Sequence, residues 1–454
     1  MTNQNFARFG VVVFVAGLAL AGCSFFKQTM PPPTATAEST AATLAPTQSG
    51  QPTVAATEDE MEMAPTPSPV EPPTAAPPEL GPVDAVPPLA VEAEIILDEV
   101  RMLNATTGWA IGGNQDDTRR LLRTNNGGIS WYEVTPPLRR SLVEEGFNVE
   151  AVVLNEDRAQ FMRYVPLVGP EEGGGSVLVV WRTEDAGVTW QASQPLRVPF
   201  LGSDVAEPYM RYGSGQVGWI LARRGGVGMH QHPVALLRTN DGGASWAVQH
   251  GPFDAPGPGL SGCIKSGMTF VSPQDGLLTI SECPVEGAEV LSTRDGGETW
   301  TSMLLPAPAG FEEAYQAAAG GGCHSHSPHA FSADEWFVGV LCRVFDNGDE
   351  TRFAFLYSTQ DGGQQWRAQE IPEGELQFLN PDEGWALGRE IHLTRDGGAN
   401  WELRKTVFWD GDFVFVNTEQ GWAVAQSDQG EVAFLHTRDG AATWQELEPA
   451  LQKD

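Results

Sequence analysis

Short apolar runs separated by turn residues recur from about residue 90 to the end of the chain. They are plainest in LQFLN, then GWALG, EIHLT and NWELR, within residues 376–404. Each run is too short for a helix of ordinary length and is bounded by Gly, Asn, Asp or Pro, so each reads as one β-strand. The four together form an antiparallel unit with tight turns. The same order returns at the C-terminus as DFVFVN, GWAVAQ, EVAFLHT and TWQELE. Two other stretches break the pattern: a continuous apolar run at residues 9–22, and residues 31–88, where almost no aromatic or β-branched aliphatic position occurs.

Aligning the units exposes a repeat. Seven segments superimpose without gaps: TNNGGISW, TEDAGVTW, TNDGGASW, TRDGGETW, TQDGGQQW, TRDGGANW and TRDGAATW. They place Asn126, Asp185, Asp241, Asp295, Asp361, Asp396 and Asp439 at the third position, and Trp131, Trp190, Trp246, Trp300, Trp366, Trp401 and Trp444 at the last. The carboxylate accepts hydrogen bonds from the amides of its own turn and the glycines take positive φ, so each segment reverses the chain into a strand that starts with Trp. An aspartate engaged in this way is structural and is no catalytic candidate. Asn126, Ala441, Gln365 and Asn400 depart from the pattern and predict looser turns. A second element, Gly-Trp or a variant of it, precedes most of these segments, as in TTGWAIGG, QVGWILAR, DEWFVGVL, DEGWALGR and EQGWAVAQ.

The seven segments resemble the Asp box, Ser/Thr-x-Asp-x-Gly-x-Thr/Ser-Trp, of sialidases, sortilin-type receptors and other β-propellers. The paired Gly-Trp and box elements resemble in particular the photosystem II stability and assembly factor family, over residues 90–448. The expected fold is all-β, a seven-bladed propeller of four-stranded antiparallel blades, spanning residues 89–454. Blade seven is complete at the C-terminus, so closure by strand exchange would draw on an N-terminal strand near Val91 to Leu97. The resemblance implies a scaffold that binds protein partners during assembly of a membrane complex.

Charge and the N-terminus add a compartment. Asp plus Glu outnumber Lys plus Arg by 59 to 27, a net charge of −32, which excludes nucleic acid as a main partner. The run at 9–22 is short for a membrane span, follows Arg8, and ends in Leu20-Ala21-Gly22-Cys23. This resembles a bacterial lipoprotein signal, with residues 1–22 removed, 23–30 forming the anchor region and Cys23 lipidated. The expectation is an exported chain held on the outer side of the cell membrane or at the outer membrane. Residues 31–88, rich in Pro, Thr, Ala, Ser and Glu and without Lys or Arg, cannot build a core. As a polyproline-type tether at about 3 Å per residue they would reach on the order of 100 Å.

Candidate chemistry is sparse. A glycoside hydrolase of the sialidase type is the alternative to a scaffold, because it shares the box. Sialidases carry three Arg, a Tyr nucleophile with a Glu partner, an Asp acid and an Arg-Ile-Pro element before the first box; here the nearest string is Arg197-Val198-Pro199-Phe200, after the second box, and none of the six Tyr stands out. A catalytic carboxylate pair cannot be picked from 59 acids by spacing alone. Cys263, Cys283, Cys323 and Cys342 fall as two pairs in successive blades and predict two local disulfides. His324, His326 and His329 follow Cys323, and His230 and His232 form a second group, which leaves a metal site as the competing reading. Arg123, Arg182 and Arg238 precede the box Thr, while Arg294, Arg395 and Arg438 follow it, so six blades present Arg in one equivalent direction. Two readings stand for them: ties between strands and blades, or an arc that docks acidic partner segments. Blade five, with Ser358 and Gln360, is the gap. No cofactor is called for, and a monomer is expected.

Overall fold

The computed structural model describes residues 87–91, 94–114, 120–137, 149–166, 176–197, 205–213, 215–224, 234–251, 260, 263–281, 287–318, 322–346 and 349–452. The signal, Cys23 and all but the end of the tether, as read from the sequence, lie outside them. Seven antiparallel sheets follow one another along the chain, each built of four strands in sequence order. Blade six is representative, with Glu375–Phe378 innermost, then Gly384–Leu387, Glu390–Thr394 and Glu402–Thr406. Blade seven repeats it with Trp409–Phe415, Gly421–Ser427, Val432–Thr437 and Gln445–Leu447. In blade five the inner strand is split into Cys323–Ser325 and His329–Ala330. A short helix, Glu312–Ala317, joins blades four and five. The fold is thus the expected seven-bladed propeller.

The repeated turn acts as its residues require. In blade three Thr239 Oγ1 donates to Asp241 Oδ1 at 2.8 Å and accepts the Gly243 N–H at 2.9 Å. The same carboxylate takes the Ser245 N–H at 2.9 Å and, through Oδ2, the Ser245 hydroxyl at 2.6 Å. Gly242 and Gly243 have φ of 69° and 87°, a region that costs an L-residue strain. Ala186 and Ala441 nevertheless sit there at 61° and 67°. Six of the aspartates are held below the usual carboxylate range. For Asp185, Asp396 and Asp439 the leading cause is the hydrogen bond from the side chain four residues on; for Asp361 it is the Gln365 N–H. For Asp241 and Asp295 burial pushes upward, and the hydrogen bonds from Ser245 and Thr299 outweigh it.

Blades are joined by tryptophan. Trp109, Trp219, Trp385 and Trp422 of the Gly-Trp elements are wholly buried. Trp219 Nε1 donates to Gly296 O in the next blade's turn at 2.8 Å, and Trp422 Nε1 closes the ring by donating to Gly127 O of blade one at 2.9 Å. Closure differs from the strand exchange anticipated for residues 91–97. Ile96–Met102 is the inner strand of blade one itself, and the C-terminal Ala450–Leu451 pairs in parallel with Ser130 and Trp131 on that blade's outer edge. Gln452 N donates to Trp131 O at 2.8 Å, so the two ends of the propeller meet on one blade.

Candidate functional site

Register along the inner strands defines an equivalent position in successive blades. Glu99 pairs with Ile111, Asp412 with Val424 and Glu375 with Leu387, in each case three residues after the glycine of Gly-Trp. Glu150 holds the same register position in blade two, while Tyr209 and Gly267 hold it in blades three and four. Four consecutive blades around the closure therefore bring a carboxyl residue to the inner strand at one level. The inner strands are also tied laterally. Gln377 Nε2 donates to Phe415 O at 2.9 Å and its Oε1 accepts the Phe415 N–H at 2.9 Å, which fixes blade six against blade seven beside these acids.

The Glu375 carboxyl is shifted upward. The side chain is exposed to solvent on one side, with protein around much of the rest. Enclosure is the main reason its carboxyl is pushed above the usual range, the negative charge of Asp412 adds to the rise, and Arg101 opposes it. Asp412 is solvent-exposed. Arg101 is itself bound to Glu99, Nη2 to Oε1 at 2.7 Å. Glu375 and Asp412 thus hold equivalent positions on the inner strands of adjacent blades. A second shifted group, Lys265 of blade four, is wholly buried; desolvation brings its ammonium down to about 8 against the pull of Glu289, and Nζ donates to Cys263 O at 2.7 Å.

The residues singled out from sequence lie elsewhere. The box aspartates and tryptophans occupy turns at the opposite end of the blades from the starts of the inner strands, packed on the turn between the first two strands, as in Gly397 N to Asp382 O at 2.8 Å. Of the six arginines, Arg238 and Arg294 reach the next blade, while Arg123, Arg182 and Arg395 make their contacts within their own blade. Arg123 and Arg238 place their guanidinium carbons 5.9 and 5.6 Å from the rings of Trp109 and Trp219. Arg182 donates to Gln191 Oε1 at 2.8 Å. Arg294 bridges Asp275 at 3.1 Å and Asp334 of the next blade at 2.7 Å, with its guanidinium 5.4 Å from Trp336. Arg395 lies 3.7 Å from Glu402, and Arg438 is exposed.

Cys323 and Cys342 are cross-strand partners and form the expected disulfide. Cys263 is also disulfide-bonded, while Cys283 lies outside the described residues, as do His230 and His232. His329 is used structurally, with Nε2 2.9 Å from Leu376 O. Burial, then the neighbouring His324 and His329, hold His326 below its ordinary value against the pull of Glu373. Among the described residues no group of three or more His, Cys, Asp or Glu is placed to hold a metal ion.

No family model matches the chain, and no curated protein matches it. Similar solved structures exist. An ulvan lyase of polysaccharide lyase family PL25, bound to a GlcA-Rha3S oligosaccharide, is 11% identical with a TM-score of 0.45, over 80% of this chain and 97% of that one. The GH74 xyloglucanase of Xanthomonas campestris is 13% identical with a TM-score of 0.30, over 78% of this chain and 72% of that one. A Trypanosoma rangeli sialidase mutant with trans-sialidase activity is 10% identical with a TM-score of 0.37, over 78% of this chain and 60% of that one. At these values the likeness is one of fold. The expectation of a photosystem II assembly factor-like, non-enzymatic scaffold is corrected here. The similar structures are mostly propellers of carbohydrate-active enzymes.

Proposed function

We propose that the propeller is a glycoside hydrolase in which Glu375 is the general acid and Asp412 the ionised second carboxylate. The observation that carries the reading is the register that sets Glu375 and Asp412 at equivalent inner-strand positions of adjacent blades, with burial pushing the Glu375 carboxyl upward. A protonated Glu375 would donate to the glycosidic oxygen as its bond to the anomeric carbon breaks, Asp412 would meet the positive charge that develops there, and water would then bond to the anomeric carbon and release a proton that restores Glu375. Arg101 limits the rise of Glu375 and, with Glu99, borders the pair. The acids around the ring and the net charge of −32 favour a neutral glycan over a uronic-acid polymer.

The reading includes the finer features of the chain. The seven Thr-to-Trp turns are Asp boxes, supported by their hydrogen-bond pattern and spacing. The propeller of residues 89–454 is carried on the Pro- and Thr-rich tether and exported with a lipid at Cys23, supported by the apolar run and the Leu-Ala-Gly-Cys string. The test of activity is release of reducing ends from a panel of neutral polysaccharides and aryl glycosides. Hydrolysis of at least one, lost in both E375Q and D412N with melting unchanged, is expected. Absence of hydrolysis across the panel, or full activity in E375Q, would refute the assignment.

A further inference from the structure

Four seams between blades on the box face are closed by a guanidinium of the chain itself, set against the next blade's box or the turn beside it. Arg158 Nη2 donates to Gly215 O at 3.1 Å between blades two and three. Between blades three and four a Cβ on Gly296 would come within 2.9 Å of Arg238 Nη1. Arg294 bridges blades four and five through Asp275 and Asp334, and Arg404 donates to Gly440 O at 3.0 Å and Asp439 O at 3.1 Å between six and seven. Among the described residues the seam between blades five and six has no such arginine. The two positions that flank the box Thr are Ser358 and Gln360, and a cavity of about 520 Å³ opens there.

The cavity keeps the groups that elsewhere hold a guanidinium. Glu335 is the counterpart of Asp275, each immediately preceding its blade's second strand. Asp382 is the counterpart of Asp334, each accepting through its backbone carbonyl the N–H of the following box glycine. Both line the cavity with Asp361, Asp396, Trp366 and Phe337, and among the described residues the one cation on its wall is the exposed Arg367. Among the described residues neither Glu335 nor Asp382 is in an ion pair, and Gln360 reaches Glu335 only at 3.5 Å. The volume falls in the range of small-ligand sites, and Trp366 and Phe337 add aromatic surface to the wall.

We propose that this cavity binds a guanidinium group supplied from outside the chain, held by Glu335 and Asp382 as Asp275 and Asp334 hold Arg294. Its chemistry is that of an arginine side chain, whether on a partner segment or in a free guanidino compound. Planarity and a fork of donors matched to two carboxylates favour guanidinium over an ammonium. The proposal is independent of the hydrolytic reading, because the cavity lies at the box end of the blades.

The test is titration of the full chain with N-acetyl-argininamide, N-acetyl-citrullinamide and a Gly-Arg-Gly peptide, followed calorimetrically. The arginine probe is expected to bind roughly ten- to a hundredfold more tightly than the citrulline probe, from the loss of charge-assisted hydrogen bonds. Q360R supplies internally the side chain found at Arg294 and should remove binding while keeping or raising the melting temperature. E335Q with D382N should weaken binding by about tenfold or more. Tighter capture of the peptide than of the single residue would identify a partner segment as the source, and equal capture a free guanidino compound; both support the site. Equal binding of the citrulline probe, no binding at millimolar concentration, or unchanged binding in Q360R would overturn it.

Discussion

Replacing Thr239 with Val removes a single oxygen from a turn that seven blades share. That oxygen is buried; it accepts the Gly243 N–H at 2.9 Å and donates to Asp241 at 2.8 Å. Val keeps the shape, so Gly243 N–H stays enclosed with no acceptor, which costs about 1–3 kcal/mol, and the lost donor to a mostly exposed carboxylate adds about 0.5–1 kcal/mol. The sum is about 1.5–4 kcal/mol. A propeller of about 360 residues unfolds with an entropy near 0.75 kcal/mol/K, so the melting midpoint should fall by roughly 2–5 °C. Thr239→Ser keeps the oxygen and loses one methyl, about 1 kcal/mol. Calorimetry on the three proteins reads the difference, and amide exchange at Gly243 should rise only in the Val variant. A Val variant melting within a degree of the parent, or a Ser variant as weak as Val, would refute the view that the Thr oxygen holds the turn.

The six box aspartates with lowered values bind protons less readily folded than unfolded, so their stabilisation is present above the unfolded carboxyl range near 4 and is lost as pH falls through their folded values. Urea midpoints should therefore hold level down to about pH 4 and drop steeply below it. Ala186→Gly relieves a positive φ of 61° and should stabilise by about 0.5–1 kcal/mol after the added chain entropy, whereas Gly243→Ala, whose Cβ would meet Gln160 Oε1 at 2.5 Å, should destabilise; paired denaturation curves decide. Opening the Cys323–Cys342 bridge, which closes a separation of 19 residues, by a double Ser substitution should cost about 3 kcal/mol in the same assay.

The fold was legible because its determinants are local. Five Thr-x-Asp-Gly strings and two close variants, at Asn126 and at Asp185-Ala186, mark one turn per blade, and together they count the blades. The disulfide at Cys323 was legible for a similar reason, a separation that matches one hairpin. Closure was not, since the pairing of Ala450–Leu451 with Ser130 and Trp131 links the ends of the propeller and leaves no local mark. The carboxylates of the inner ring were hidden among 59 acids until register placed them. A trace was present nonetheless: Glu99, Glu375 and Asp412 each stand nine residues before the glycine of a Gly-Trp pair, at 108, 384 and 421. Arginine direction was visible in the repeat, but which carboxylates receive each guanidinium depends on neighbouring blades.

The hydrolytic account turns on the protonation of Glu375, which makes the pH dependence of kcat/KM on a cleaved glycan its most direct test. A general acid acts only while protonated, so activity should fall on the alkaline side through a pKa above the ordinary glutamate range, as enclosure and Asp412 require. Arg101 opposes that rise, and R101Q should therefore move the alkaline limb to higher pH, with E375Q removing the limb together with most of the activity. An alkaline limb that stays in place in R101Q, or a rate that E375Q leaves intact, would contradict the account.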